Sequence, residues 1–154
     1  MKGILIVGAA AVLGFSALPV WAALGGAPSW PDAPRTPGTR LMAAANSAAP
    51  YTVTTATQES GTVIHEYLDA RGNVFAVSWR GPRIGSMDVL LGGYFPAWQK
   101  GLAAVQASRG GGYGPVAMRN GDLVVETGGH MGALTGRAWL PMALPQGFDA
   151  SQIQ

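Results

Sequence analysis

GTVIHEYLDARGNVFAVSWRGP, residues 61–82, decides how this chain folds. Thr62 to Leu68 and Asn73 to Trp79 are rich in β-branched and aromatic residues, and Asp69-Ala70-Arg71-Gly72 lies between them. Asp at the first turn position and Gly at the last predict a type I turn closed by a glycine bulge, so the two runs form an antiparallel hairpin. If Asp69 pairs with Asn73, then Tyr67 faces Phe75, His65 faces Val77 and Val63 faces Trp79 on the expected core side. The opposite side carries Ile64, Glu66 and Leu68 against Val74, Ala76 and Ser78, and it too is partly apolar.

Upstream, Tyr51 to Thr57 is dense in β-branched residues and is joined to this hairpin by a turn at Gln58-Glu59-Ser60-Gly61, which adds a strand. Downstream of Gly81-Pro82 the period changes. Met87, Leu90, Leu91 and Tyr94 recur at helical spacing, behind Ser86 as N-cap and with Asp88 in the first turn. Gly92-Gly93 and Pro96 interrupt this stripe, predicting a short helix, a kink at Tyr94-Phe95 and a second helix from Pro96 that buries Trp98, Leu102 and Val105. A glycine-rich stretch, 108–114, follows. Val116 to Met118 and Leu123 to Val125 then flank Arg119-Asn120-Gly121-Asp122, a strong hairpin signal that would pair Arg119 with Asp122 across the strands. Gly128-Gly129 reads as another turn, and Ala133 to Leu140 as the last strand. The expected fold is α+β: an antiparallel sheet of about six strands, ordered three strands, broken helix, three strands, with the helix on one face.

The N-terminus has a different character. Met1-Lys2 precedes an apolar run of about 16 residues, shorter than the roughly 20 that cross a bilayer, and Pro19-Val20-Trp21-Ala22 ends it. This is the pattern of a secretory signal peptide over 1–22, with cleavage between Ala22 and Ala23, where Val20 and Ala22 suit the small pockets of a signal peptidase. Residues 23–50 are rich in Pro, Ala, Gly and Ser and read as a flexible or loosely docked leader, which Trp30 could pin to the domain. Residues 51–148 make a single domain and 149–154 a C-terminal tail.

The chain has no cysteine, so disulfides and a lipidated cysteine are excluded. Without Lys2, the ten Lys and Arg fall to nine against eight Asp and Glu, and the basic residues are scattered singly. A net +1 without a cluster cannot hold a polyanion, so nucleic acid is not an expected partner. After cleavage no segment is long enough to span a membrane, which places the chain in the periplasm or outside the cell.

Residues 61–82, together with DLVVETGGHMGALTGRAWLP at 122–141, MDVLLGGYFPAW at 87–98 and Ala23-Leu24-Gly25-Gly26, resemble a family of small exported proteobacterial proteins catalogued only as a domain of unknown function. The resemblance implies export and one shared domain, and it brings no catalytic residues with it.

Chemistry must therefore come from a short inventory. His65-Glu66 lacks the second histidine of a metalloprotease helix, since Asp69 stands there, and adjacent strand residues point to opposite faces. The glycines at 110–112 and 114 lack the Lys-Ser/Thr of a phosphate-binding loop, and no Gly-x-Ser-x-Gly elbow occurs. A remote set of His65, His130 and Glu126 could ligate a metal, but core packing is the simpler reading of His65. His130, between glycines and Met131, is the best single candidate for a functional residue. Trp30, Tyr113 and Trp139 are the aromatics available for a binding platform. These observations favour a non-enzymatic, cofactor-free binding or interaction module of the bacterial envelope, with another envelope protein as partner and with His130, Met131, Trp30 and Tyr113 as binding residues. The alternatives are a small hydrolase or metal-dependent enzyme using His130, and a small-ligand carrier. The carrier requires a cavity of at least about 300 Å³ between helix and sheet.

Overall fold

A computed structural model describes residues 24–37, 51–110 and 114–154. The expected signal peptide, the Ala22-Ala23 cleavage site and Tyr113 lie outside these residues.

Seven strands form one sheet: β1 (Arg35–Pro37), β2 (Thr52–Thr57), β3 (Val63–Leu68), β4 (Val74–Gly81), β5 (Val116–Asn120), β6 (Leu123–His130) and β7 (Ala133–Trp139). Their order is β1-β2-β3-β4-β7-β6-β5, with every neighbouring pair antiparallel. The α+β expectation holds, but the count is seven rather than six. The added strand comes from the expected leader: Arg35 to Pro37 pair with Thr54 to Thr52 at the sheet edge, where a proline lacking a donor is tolerated. Between β4 and β5 the chain forms α1 (Met87–Leu91), a 3-10 turn (Gly92–Tyr94) and α2 (Phe95–Ser108). This is the broken helix predicted from Gly92-Gly93 and Pro96. Ser86 adopts extended backbone before α1, but its side chain makes no capping hydrogen bond.

The β3–β4 turn forms as read: Asp69 N–H donates to the Asn73 carbonyl at 2.9 Å and Gly72 N–H to the Asp69 carbonyl at 3.0 Å. One step further in, the register departs from the expected one. Leu68 pairs with Val74 but Tyr67 pairs with Ala76, so Phe75 is the extra residue of a β-bulge. Beyond it His65 pairs with Ser78, Glu66 with Val77 and Ile64 with Trp79. The bulge moves Val77 and Trp79 to the side of Ile64 and Leu68, and leaves Phe75 and Ala76 beside Tyr67 on the other.

Two cores result, one on each face. On the helix face, Ile64, Val74, Val77, Trp79, Leu123, Val125 and Ala138 pack with Leu90 and Leu91 of α1 and with Leu24. Leu24 and Gly25 donate to the carbonyls of Leu90 and Val74, and Ser29 N–H donates to the buried Glu66 carboxylate at 2.9 Å. Residues 24–30 of the expected leader are thus part of this layer. Helix α2 is pinned to β5 by Asn120 Nδ2 donating to the Ala97 carbonyl at 2.8 Å. On the second face, Tyr67, Phe75, Ala76 and Trp139 pack with Ile153, and Phe148 meets Phe75 edge-on at 5.0 Å. Residues 149–154, read as a tail, complete this core: Ile153 is buried, and Tyr67 Oη donates to the main-chain oxygen of Gln154 at 3.0 Å.

Two hairpin expectations also change. The β6–β7 turn lies at Met131-Gly132, after His130 pairs with Ala133, whereas Gly128 and Gly129 sit within β6 opposite Thr135 and Leu134. Gly129 has a φ of +93°, and a side chain there would strike the Ala133 carbonyl, so this glycine permits close approach within the ladder. At the β5–β6 hairpin Asn120 pairs with Leu123 and Arg119 with Val124, so the turn is Gly121-Asp122 rather than Asn120-Gly121, Arg119 and Asp122 are not opposite one another, and among the described residues the ion pair is Glu126–Arg137.

Candidate functional site

The expected binding residues His130 and Met131 lie at the mouth of a cleft between helix and sheet. Trp98, Leu102 and Val105, spaced four and three residues apart on α2, form one wall. Ile84 from the β4–α1 connection and Met87 at the start of α1 line it as well, with Val116 and Leu134 from β5 and β7. The cleft, open to solvent on one side, has a volume of about 450 Å³. Its polar groups are few. Thr127 Oγ1 accepts from Val116 N–H at 3.3 Å, and Arg109, the residue that caps the C-terminus of α2, donates to the Pro115 carbonyl at 2.6 Å. Trp98 stacks on Phe95 with ring centroids 5.6 Å apart, and its buried indole N–H has no acceptor among the described residues.

At the rim, His130 Nδ1 lies 3.0 Å from the Met131 carbonyl, and Met131 is 95% exposed. Trp30 does not join them. It is half-buried against the helix-face core and borders a separate depression with Pro31 to Pro34 and Thr55 to Thr57.

The metal set proposed from sequence does not assemble. His65 and Glu126 share the second face, on strands β3 and β6, with β4 and β7 between them, which separates them by about 14 Å at strand spacing. His130 lies four residues beyond Glu126 on β6, about 13 Å along the strand, and lines the helix-side cleft. Each is otherwise engaged: His65 Nδ1 lies 2.9 Å from Thr55 Oγ1, and Glu126 pairs with Arg137 at 2.7 Å. Burial pushes the His65 pKa below 6.5, favouring the neutral ring. No group of three His, Asp or Glu able to hold a metal occurs among the described residues.

Sequence reasoning found the rim of the cleft through the glycine-flanked His130. It read Trp98, Leu102 and Val105 only as a buried helical stripe. The stripe was visible, but a stripe cannot show that the surface opposite it leaves a cleft; Gly128 and Gly129, which line that cleft, offer no side chains to fill it.

No curated protein and no solved structure matches this chain, and no helix among the described residues is long and apolar enough to cross a membrane. The sequence model of one family, described as a protein of unknown function, DUF2844, matches residues 20–153 and so takes in both the docked N-terminal residues and the C-terminal cover of the second face. By that match over most of its length, the chain belongs to the DUF2844 family.

Proposed function

We propose that this chain is an exported, non-enzymatic binding protein that carries a small, largely apolar ligand in the cleft between α2 and β5–β7. The observation that carries this reading is the cleft itself: about 450 Å³ lined mainly by apolar side chains, within the roughly 300–1,000 Å³ usual for small-molecule sites. The non-enzymatic part rests on the rim, where no hydroxyl or carboxylate is hydrogen-bonded to His130 among the described residues and its Nδ1 contacts only its neighbour's carbonyl. Export rests on the charged start, apolar run and small-residue site of residues 1–22.

A neutral, environment-sensitive probe, N-phenyl-1-naphthylamine, tests the reading. Saturable fluorescence enhancement is expected, abolished by Leu102→Trp, which fills the cleft, and little changed by Trp30→Ala. Enhancement unaffected by Leu102→Trp would refute the site. A second reading, docking of an envelope protein on the same rim, draws on the exposure of Met131. It predicts that Met131→Asp abolishes capture of a partner while leaving probe binding intact.

A further inference from the structure

Leu24, the first described residue, stands one residue beyond the expected cleavage bond between Ala22 and Ala23. It is 3% exposed and belongs to the helix-face core with Val74, Leu90 and Leu140. Its N–H donates to the Leu90 carbonyl at 3.3 Å. The next two residues complete β4. Strand β7 ends at Trp139, opposite Ala76, so the fully buried Val74 has no partner on β7. Gly25 N–H donates to the Val74 carbonyl and Val74 N–H to the Gly26 carbonyl, both at 2.7 Å. Buried main-chain groups need such partners, and here residues 25 and 26 supply what the sheet by itself leaves unpaired. Gly25 makes the approach possible: its φ is +87°, and a side chain there would stand 2.9 Å from the Tyr94 ring. Five residues on, Ser29 N–H donates to the buried Glu66 carboxylate, so the stretch is tied down at both ends.

A peptidase holds its substrate as an extended strand and pairs with main-chain groups around the bond it cuts. Leu24 is the second residue beyond that bond, and consecutive Cα atoms are only about 3.8 Å apart. Once residues 24–26 are docked, the main-chain groups next to the bond are held by Leu90 and Val74 and cannot enter a protease. The reach toward the membrane is short as well. The apolar run ends at Leu18, so residues 19–23 alone join it to Leu24. Fully extended they span at most about 18 Å, against about 30 Å for the width of a small folded domain. A docked domain would therefore crowd the bond against the bilayer.

We infer, on the reading of residues 1–22 as a signal peptide, that the folded domain hides its own processing bond. The signal is removed before residues 24–30 dock, and their docking then completes the helix-face core of the released chain. The bond is open to the peptidase only while the fold is incomplete, whatever ligand the apolar cleft takes.

Cleavage of the full-length precursor by purified signal peptidase in detergent micelles tests this order. Added after the precursor has folded, with the β3 and β4 amides protected from exchange, the peptidase should cut at least about tenfold more slowly than when it is present as the precursor is diluted from urea. Gly25→Val disfavours the left-handed backbone and strikes Tyr94, but leaves Val20 and Ala22 untouched. Its precursor should be cut at the fast rate in either order. Leu24→Ala gives up the buried side chain without altering the backbone, and it should speed cutting of the folded precursor by about tenfold too. Fast cleavage of a wild-type precursor whose β3 and β4 amides are protected would overturn the inference. So would cutting of both folded variants as slowly as the wild type. Mass spectrometry of the protein from its host should find a chain that begins at Ala23; residues 1–22 still attached would instead strike the export reading, and the inference with it.

Discussion

The two faces of the sheet are closed by different means. The helix face is covered by α1, α2 and residues 24–30, elements that bring their own backbone hydrogen bonds and a continuous set of aliphatic side chains. Among the described residues the second face has no helix beyond its short 3-10 turns. Its aromatic half is covered by the chain after Trp139, through Leu144, Phe148 and Ile153, and its polar half stays open. A sheet apolar on both faces needs cover on both, and a short irregular segment can supply it only where large aromatics concentrate the buried area. The open clefts follow from this difference: one lies between α2 and the sheet, the other beside the C-terminal cover.

The comparison is tested most severely by Phe75→Ala. If the second face is a core of equal standing, removing this fully buried ring costs about 3–5 kcal/mol, comparable to Leu90→Ala or Leu91→Ala on the helix face at about 2–5 kcal/mol. Denaturant unfolding would show it, and a loss below about 1 kcal/mol would make the C-terminal cover a loose one. A finer probe uses two glycines. A methyl at Gly136 would collide with the Trp79 ring and stand 2.9 Å from the Glu126 carbonyl, so Gly136→Ala should destabilise by about 1–3 kcal/mol. Gly101→Ala meets only the flexible end of Met118 and gains up to about 1 kcal/mol of helix propensity, so the same assay should find it near neutral.

Smaller still is the tie between residues 24–30 and the sheet. Glu66 accepts from Ser29 N–H and from Thr54 Oγ1 at 3.2 Å, and Glu66→Gln weakens these bonds by about 1 kcal/mol. Faster amide exchange at Ser29 with β6 and β7 unchanged is the expected signature. The least effect is electrostatic. Burial lowers the His65 pKa below 6.5, so in the window between the folded value and 6.5 the unfolded chain binds more protons than the folded one. The stability contributed by the neutral ring is complete above 6.5 and is lost as pH falls through that window, and His65→Gln should remove this slope. The half-open position of His65 on the second face keeps the effect small.

Local signals carried much of this fold. The Asp69-Ala70-Arg71-Gly72 turn, the β5–β6 hairpin to within one residue of its turn, the broken helix around Gly92-Gly93 and Pro96, and five strands close to their observed ranges were legible because each depends on residues within a turn or two of one another. The site was half legible: His130 and Met131 marked the rim of the cleft, whereas the cleft behind them gave no sequence signal, being assembled from α2 and strands β5, β6 and β7.

By itself, then, the sequence determined an α+β chain with antiparallel hairpins, a kinked helix and no clustered charge, since propensity, period and turn chemistry act over short separations. Only the tertiary structure decided which face each strand residue occupies. Both sides of β3 and β4 are apolar enough to be buried, so alternation could not choose between them; the single extra residue at Phe75 reverses every later assignment on β4. The docking of residues 24–30 and of Ile153 was likewise beyond reach of the sequence. Segments poor in apolar residues order here because the sheet offers them unpaired backbone groups, the Glu66 carboxylate and aromatic surface, partners that exist only after the strands have paired.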